Sequence, residues 1–392
     1  MFFEHASTLI WLLLPIAAGW GWVAGRHDYR RQRARRDLPT AYFKGLNFLL
    51  NEQADKAIEI FIKVLEVNSE TIETHLALGS LFRRRGEVER AIRVHQNIIA
   101  RPALDRDQRA RALLELGQDY LKAGLLDRAE NLFLELAEIR VHNEEALRLL
   151  MNIYQQERDW LKAISVCRRL GRMGGPGLAS TIAQYQCELA EEAYKRNEHE
   201  QAREQARRAL QSDRACVRAS MVLGNIEAAE GHHKEAIKAW RRIENQNPLY
   251  LGEVAQSLAK SFQALGDEAG LYRFFLEALN RHHDVALMLA LADVVERREG
   301  VAAAEAFVVS WLRRQPSARG LNRLIGLHVA QASGESREDL AVLKGIIEKI
   351  VESRRRYLCT QCGFAGQSLH WQCPSCHRWD TVMPAGEDDD EA

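Results

Sequence analysis

Gly79-Ser80-Leu81-Phe82-Arg83-Arg84-Arg85-Gly86-Glu87-Val88-Glu89-Arg90-Ala91-Ile92-Arg93-Val94-His95-Gln96-Asn97-Ile98 carries the two spacings that decide the fold. A glycine precedes the small residue Ala91 by twelve positions, and Ala91 is followed four later by a bulky side chain and three after that by an apolar one. The second spacing recurs as Ala57-Phe61-Val64, Ala129-Phe133-Leu136, Ala163-Cys167-Leu170, Ala202-Ala206-Ala209 and Ala236-Trp240-Ile243. Successive small residues lie 34, 38, 34, 39 and 34 apart, and two more steps of 34 reach Gly270 and Ala304. Pro316 stands twelve beyond Ala304, as Pro248 stands twelve beyond Ala236. The glycine twelve residues before an anchor appears at Gly45, Gly79, Gly117 and Gly224, and Phe48, Phe82 and Tyr120 follow the first three of these by three positions.

A period near 34 with these residue types resembles the tetratricopeptide repeat, a helix pair that must stack on its neighbours to bury its apolar face. The expected fold is an all-α tetratricopeptide superhelix over residues 41–352. Small residues at the helix crossings let two backbones approach, and the aromatics are expected to fill the gap between successive repeats. The two longer spacings place extra residues in loops near 100–107 and 173–178, where Pro102 and Pro176 sit. Residues 317–352 fit the pattern loosely and read as capping helices.

Composition agrees with a folded chain of several domains or repeats. In 392 residues, 46% are hydrophobic and 28% charged, well within the globular range. Lys+Arg and Asp+Glu both number 54, which argues against a dedicated nucleic-acid binder, since those show a basic excess. No nucleophile elbow, phosphate-cradling glycine loop or HExxH helix occurs, so the reading is not an enzyme.

Residues 6–25 contain no formal charge. Twenty residues of helix span about 30 Å, the thickness of a bilayer's hydrocarbon core. Trp20 and Trp22 lie near its end, where indole rings favour the membrane interface, and Pro15 is tolerated within a span. Arg26, Arg30, Arg31, Arg33, Arg35 and Arg36 follow, whereas no Lys or Arg precedes the apolar run. A cleaved signal has its positive charge first. The order here predicts a single-pass anchor over residues 1–25, a basic juxtamembrane segment over 26–40, and a chain that remains in the cytoplasm.

The seven cysteines fall into two groups. Cys167, Cys187 and Cys216 are scattered through helical segments and read as small buried hydrophobes in a reducing compartment. Cys359, Cys362, Cys373 and Cys376 form two CxxC pairs with ten residues between them. Four thiolates complete a tetrahedral shell, the preference of zinc or iron. His370 and His377 are ligand types too, but the four cysteines already fill the shell. Cys359-Thr360-Gln361-Cys362-Gly363-Phe364 and Cys373-Pro374-Ser375-Cys376 resemble rubredoxin-type knuckles. They depart from that pattern at His377, where glycine is usual, and in the short separation of the knuckles, which favours a structural role over electron transfer. The metal module is placed at residues 353–384, with Trp371 and Trp379 as its small core and an acidic tail over 385–392. The linker, residues 352–356, is short enough that the module should pack on the last helices, near 340–350.

The whole layout, with Gly45-Leu46-Asn47-Phe48-Leu49-Leu50, Leu81-Phe82-Arg83-Arg84-Arg85-Gly86-Glu87-Val88 and Trp371-Gln372-Cys373-Pro374-Ser375-Cys376, resembles the lipopolysaccharide assembly protein B family of Gram-negative bacteria. That resemblance implies an inner-membrane scaffold or adaptor that regulates lipopolysaccharide synthesis. Its implied partners are a membrane AAA+ protease of the FtsH type, the deacetylase that commits precursors to lipid A, and other lipopolysaccharide assembly proteins. It implies one iron ion on Cys359, Cys362, Cys373 and Cys376, with zinc the alternative. From the residues alone, a membrane-associated redox or electron-transfer protein using the four-cysteine site is the competing function.

Overall fold

The computed structural model describes residues 72–101, 104–139, 142–173 and 178–385, together with Lys44, Asn47, Phe48 and Lys56. The apolar run at 6–25, the basic stretch at 26–40, the Ala57-Phe61-Val64 anchor and the acidic end of the chain lie outside the described residues. Among the described residues no helix is long and apolar enough to cross a membrane. The chain divides into two compact units, residues 1–153 and 154–392.

In the first unit, α1 (Ile72–Arg84), α2 (Val88–Ile99), α3 (Arg106–Lys122) and α4 (Leu126–Ile139) pack as the pairs α1–α2 and α3–α4. The boundary between units falls inside α5 (Asn143–Glu157). The second unit continues with α6 (Trp160–Arg172), α7 (Ala179–Lys195), α8 (His199–Ser212), α9 (Val217–Ala229), α10 (His233–Arg241) and α11 (Ile243–Gln246). A 3₁₀ turn at Pro248–Tyr250 leads into α12 (Leu251–Ala264), α13 (Glu268–His282), α14 (Val285–Glu299), α15 (Val301–Leu312), α16 (Ala318–Gln331) and α17 (Glu335–Ser353). Here the pairs α7–α8, α9–α10, α12–α13, α14–α15 and α16–α17 pack together, and successive pairs contact one another, as at α8–α9, α10–α12 and α13–α14.

Most repeats turn the same way. Gly86, Gly124, Gly231 and Gly266 sit just past the first helix of a pair with φ of +83°, +75°, +78° and +68°. At each, the next residue's N–H donates back to the carbonyl five positions earlier, as from Glu87 to Phe82 and from His232 to Glu227. This Schellman closure satisfies carbonyls that the helix end leaves open and requires a left-handed residue. Asn197 and Arg158 take that conformation with side chains present. Asp159, Asp267 and Asp284 then cap the following helices with their carboxylates.

The two sequence spacings meet within one repeat. A Cβ at Gly79 would lie 2.2 Å from the His95 ring, one at Gly117 2.4 Å from Phe133, and one at Gly224 2.2 Å from Trp240. Each glycine lets the bulky residue sixteen positions later in the same repeat come close against the opposing backbone. Between repeats, Phe82 packs with Phe48 and Tyr120 OH accepts from Gln96 Nε2 (3.0 Å), as expected of the aromatics that follow the glycines. Close approach within the pair is what the missing side chain permits. His95, which stands where Phe133 and Trp240 stand in their repeats, is fully buried and hydrogen-bonds Asp119 (2.5 Å), which Arg83 also engages (2.7 Å). Cys167, Cys187 and Cys216 are buried, and burial pushes the Cys167 thiol up to about 12, as an inert packing residue requires.

Candidate metal centre

After α17 only Arg354, Arg355 and Arg356 precede β1 (Tyr357–Cys359), and β2 (Ala365–Gly366) and β3 (Val382–Pro384) flank it in a small antiparallel sheet of order β2-β1-β3. Two turns of matching design hang from this sheet. In the first, Cys359 N–H donates to Phe364 O (2.7 Å) and Gly363 N–H to Cys359 O (3.0 Å). In the second, Cys373 N–H donates to Arg378 O (2.9 Å) and His377 N–H to Cys373 O (2.9 Å). Gly363 (φ +72°) and His377 (φ +57°) hold equivalent left-handed positions, so the departure at His377 changes the residue and leaves the turn intact.

These turns bring Cys359, Cys362, Cys373 and Cys376 together, with all four Sγ atoms within 4.8 Å of one another. Cys359 to Cys376 measures 3.8 Å and Cys362 to Cys373 3.6 Å. A thiolate tetrahedron around an ion at ~2.3 Å has edges of about 3.8 Å, so the donor set fits a tetrahedral metal. When bound, the ion would supply cross-linking of two turns that carry little apolar core. As free thiols the four differ. Burial opposes ionisation of Cys359, but the Thr381 hydroxyl and the N–H groups of Gln361 and Cys362 outweigh it and hold this thiol down to about 6. The N–H of Phe364 lowers Cys362, whereas burial pushes Cys373 up to about 11. A site with one ready thiolate captures a cation and then deprotonates its remaining ligands.

Neither histidine joins the cluster. His370 Nε2 lies 3.0 Å from Ser368 Oγ, and His377 serves the turn through its backbone. A second grouping of metal-donor types, Glu227, Glu230 and His232, is already engaged: the Arg203 guanidinium binds both carboxylates.

The module's own core is Tyr357, Cys359, Cys373 and Val382, packed by Phe364 and Leu369. Trp371 and Trp379 are not that core. They face the helices of the second unit, where larger apolar surfaces can bury an indole. Trp371 stacks on Tyr250 with centroids 5.6 Å apart, and Trp379 meets the rings of Trp160 (6.1 Å) and Tyr185 (5.7 Å) edge-on. Trp379 Nε1 donates to Gln155 Oε1 (3.1 Å), which also accepts from Tyr185 OH (2.9 Å). Tyr250 OH donates to the carbonyl of Val382 (2.9 Å) and Tyr357 OH to Glu253 (2.8 Å). Burial pushes the Tyr357 hydroxyl up to about 12, consistent with a permanent donor.

Arg218 centres this contact. Its guanidinium lies 5.7 Å from the Trp371 ring and 5.9 Å from Trp379, within cation–π range. Only 3% of its side chain is exposed, and it donates to Glu191 (2.8 Å) and Glu188 (2.7 Å). Burial works against its charge, but the two carboxylates more than offset this and raise its pKa. The module therefore packs on α5, α6, α7, α9 and α12 and not near 340–350, where Val342, Leu343, Ile346 and Ile350 remain exposed. It touches the end of α17 through Gln367, whose side chain donates to the carbonyls of Glu352 and Arg354. Gln155, Tyr185 and Arg218 come from successive first helices and Tyr250 from the 3₁₀ turn that leads into the next, each about one repeat apart. That near-period is the signal that could have revealed them.

A family model described as rubredoxin metal binding domain matches residues 357–384, and tetratricopeptide repeat models match 74–110 and 187–248. Lipopolysaccharide assembly protein B of Escherichia coli (strain K12) is 36% identical over 379 residues, covering 96% of this chain and 97% of that protein. Its namesake from Haemophilus influenzae is 33% identical over 388 residues, covering 96% and 98%. Among solved structures, the Naa15/Naa10 complex bound to HypK-THB aligns with 78% of this chain and 45% of that one, at 13% identity and TM-score 0.45. At this identity over nearly the full length of both proteins, the chain belongs to the lipopolysaccharide assembly protein B family.

Proposed function

We propose that this chain is a non-enzymatic, single-pass inner-membrane scaffold, its bulk in the cytoplasm, that regulates lipopolysaccharide synthesis. It does so by presenting the deacetylase of the lipid A pathway to a membrane AAA+ protease of the FtsH type. The relatives' shared name supports a role in lipopolysaccharide assembly and favours a scaffold over electron transfer. The observation that carries the reading is the seating of the metal module on the first helices of the second unit through Arg218, Tyr250 and the two tryptophans. Tetratricopeptide arrays bind partners on such helix faces. A module locked there makes one composite surface whose integrity depends on the ion held by Cys359, Cys362, Cys373 and Cys376. We assign that ion as iron, with zinc the alternative that the same four thiolates accept.

The test replaces the native copy in a Gram-negative cell with Cys373→Ser or with a chain lacking residues 1–25, each at normal abundance. Both changes should raise the deacetylase level: the first breaks the composite surface, and the second removes the tether that concentrates the scaffold beside membrane partners. Unchanged deacetylase turnover in both would sink the adaptor reading.

A further inference from the structure

The outermost helix of a repeat array faces water, and soluble arrays keep that face polar. α17 does not. It buries no side chain, yet Val342 is 63% exposed, Leu343 50%, Ile346 52% and Ile350 46%. At 3.6 residues per turn, Val342, Ile346 and Ile350 stack in one stripe with Leu343 at its edge. The same stripe begins with Glu335 and Asp339, both exposed, and Lys349 flanks its far half. Arg355 and Arg356, also exposed, follow just beyond the helix end at Ser353. The seam is thus apolar at its middle, acidic at its start and basic at its finish.

We infer that α17 is the contact through which two copies of this chain dimerise, crossing antiparallel about a two-fold axis at Ile346. In that arrangement Ile346 meets its own counterpart, Val342 meets Ile350, and the Glu335–Asp339 end of each copy lies beside Arg355 and Arg356 of the other. A two-fold interface presents the same patch from both subunits, and only the antiparallel direction sets acid against base. Parallel pairing would bring like charges together. An anionic membrane surface is a poorer occupant, because the exposed Glu335, Glu338 and Asp339 at the start of the seam would be repelled by it. One helix of 19 residues, about 28 Å long, offers an interface at the small end of the specific range. The dimer is therefore concentration-dependent.

Sedimentation velocity of the full chain in density-matched detergent tests this. The wild-type chain should shift from monomer to dimer as concentration rises through the micromolar range. Ile346→Glu should move that midpoint at least tenfold upward, because it sets two carboxylates against each other on the axis. Asp339→Lys should weaken the dimer, and adding Arg355→Asp should restore it. Ile346, Asp339 and Arg355 are exposed, so unchanged helical circular dichroism and metal content will show that the fold survives. A wild-type chain monomeric at every concentration overturns the proposal. So does a dimer indifferent to Ile346→Glu, or one that the charge swap fails to restore. Binding to anionic phospholipid vesicles that Ile346→Glu abolishes, with no dimer, would likewise overturn it in favour of a membrane contact.

Discussion

A helix pair of the array and the metal module differ in what holds them. Around Trp240, the α9–α10 pair and the helices after it bury Ile243, Tyr250, Leu251, Leu258 and Phe275 in one continuous cluster. Burying each such side chain contributes about 1.5–3 kcal/mol. The module buries Tyr357, Cys359, Cys373 and Val382, and two of these four are metal ligands. So few apolar contacts cannot offset the entropy of ordering nearly thirty residues. The array is self-sufficient through stacking, whereas the module depends on an ion from within and on the array's aromatic face from without.

The largest effect should come from removing the ion. Cys362→Ser opens the tetrahedron at its most exposed corner, and structural zinc sites supply about 10 kcal/mol or more at neutral pH. Elemental analysis should find the ion lost, and protease should cut within residues 357–384 while the helical signal of the array persists. An array that melts together with the module would break the contrast, because it would make the repeats depend on the ion as well.

A smaller effect should follow from breaking the contact while sparing the ion. Arg218→Ala removes a buried cation from Glu188 and Glu191 and from between two indoles. Losing one partner of a buried ion pair costs about 3 kcal/mol or more, and each desolvated cation–π contact adds about 1–2 kcal/mol. The ion should stay bound, while tryptophan fluorescence shifts to the red as Trp371 and Trp379 meet water. If the indoles remain buried in Arg218→Ala, the docking is carried by Tyr250, Trp160 and Tyr185 alone.

These contacts mark the limit of what the sequence discloses. The repeat was legible because its period is written in small residues such as Ala91, Ala129 and Ala236. The metal ligands were legible because two CxxC pairs state their own spacing. The docking site was not, since Tyr250 reaches Val382 across 132 positions and Trp379 reaches Gln155 across 224. A short linker fixes only where β1 begins, and the expectation of packing near 340–350 mistook that starting point for the seat of the module. Trp371 and Trp379 were assigned inward because a small module was assumed to need them. The array had more apolar surface to offer. Nothing local in the sequence marks Arg218 as a cation that a module about 150 residues away will help to bury. The expected N-terminal span rests on sequence alone, as residues 1–43 lie outside those described.

The smallest predicted effect compares the two turns of the module with each other. Both need a left-handed residue after the second cysteine, and they meet the need differently, with Gly363 at φ +72° and His377 at φ +57°. For most side chains this conformation costs about 1–2 kcal/mol, and histidine is among the residues that tolerate it better. Gly363→Ala should therefore destabilise the module by about 1 kcal/mol, with no steric term added, since nothing lies within 4 Å of a Cβ built there. His377→Gly should gain part of what strain costs now and lose part of it to the greater freedom of the unfolded glycine, leaving a net change under about 1 kcal/mol in the stabilising direction. The rate at which a chelator strips the ion reads both. Gly363→Ala should lose metal several-fold faster than the native chain, and His377→Gly no faster. If His377→Gly loses metal faster than Gly363→Ala, the imidazole contributes to the second turn beyond its backbone conformation, and the equivalence of the two turns fails.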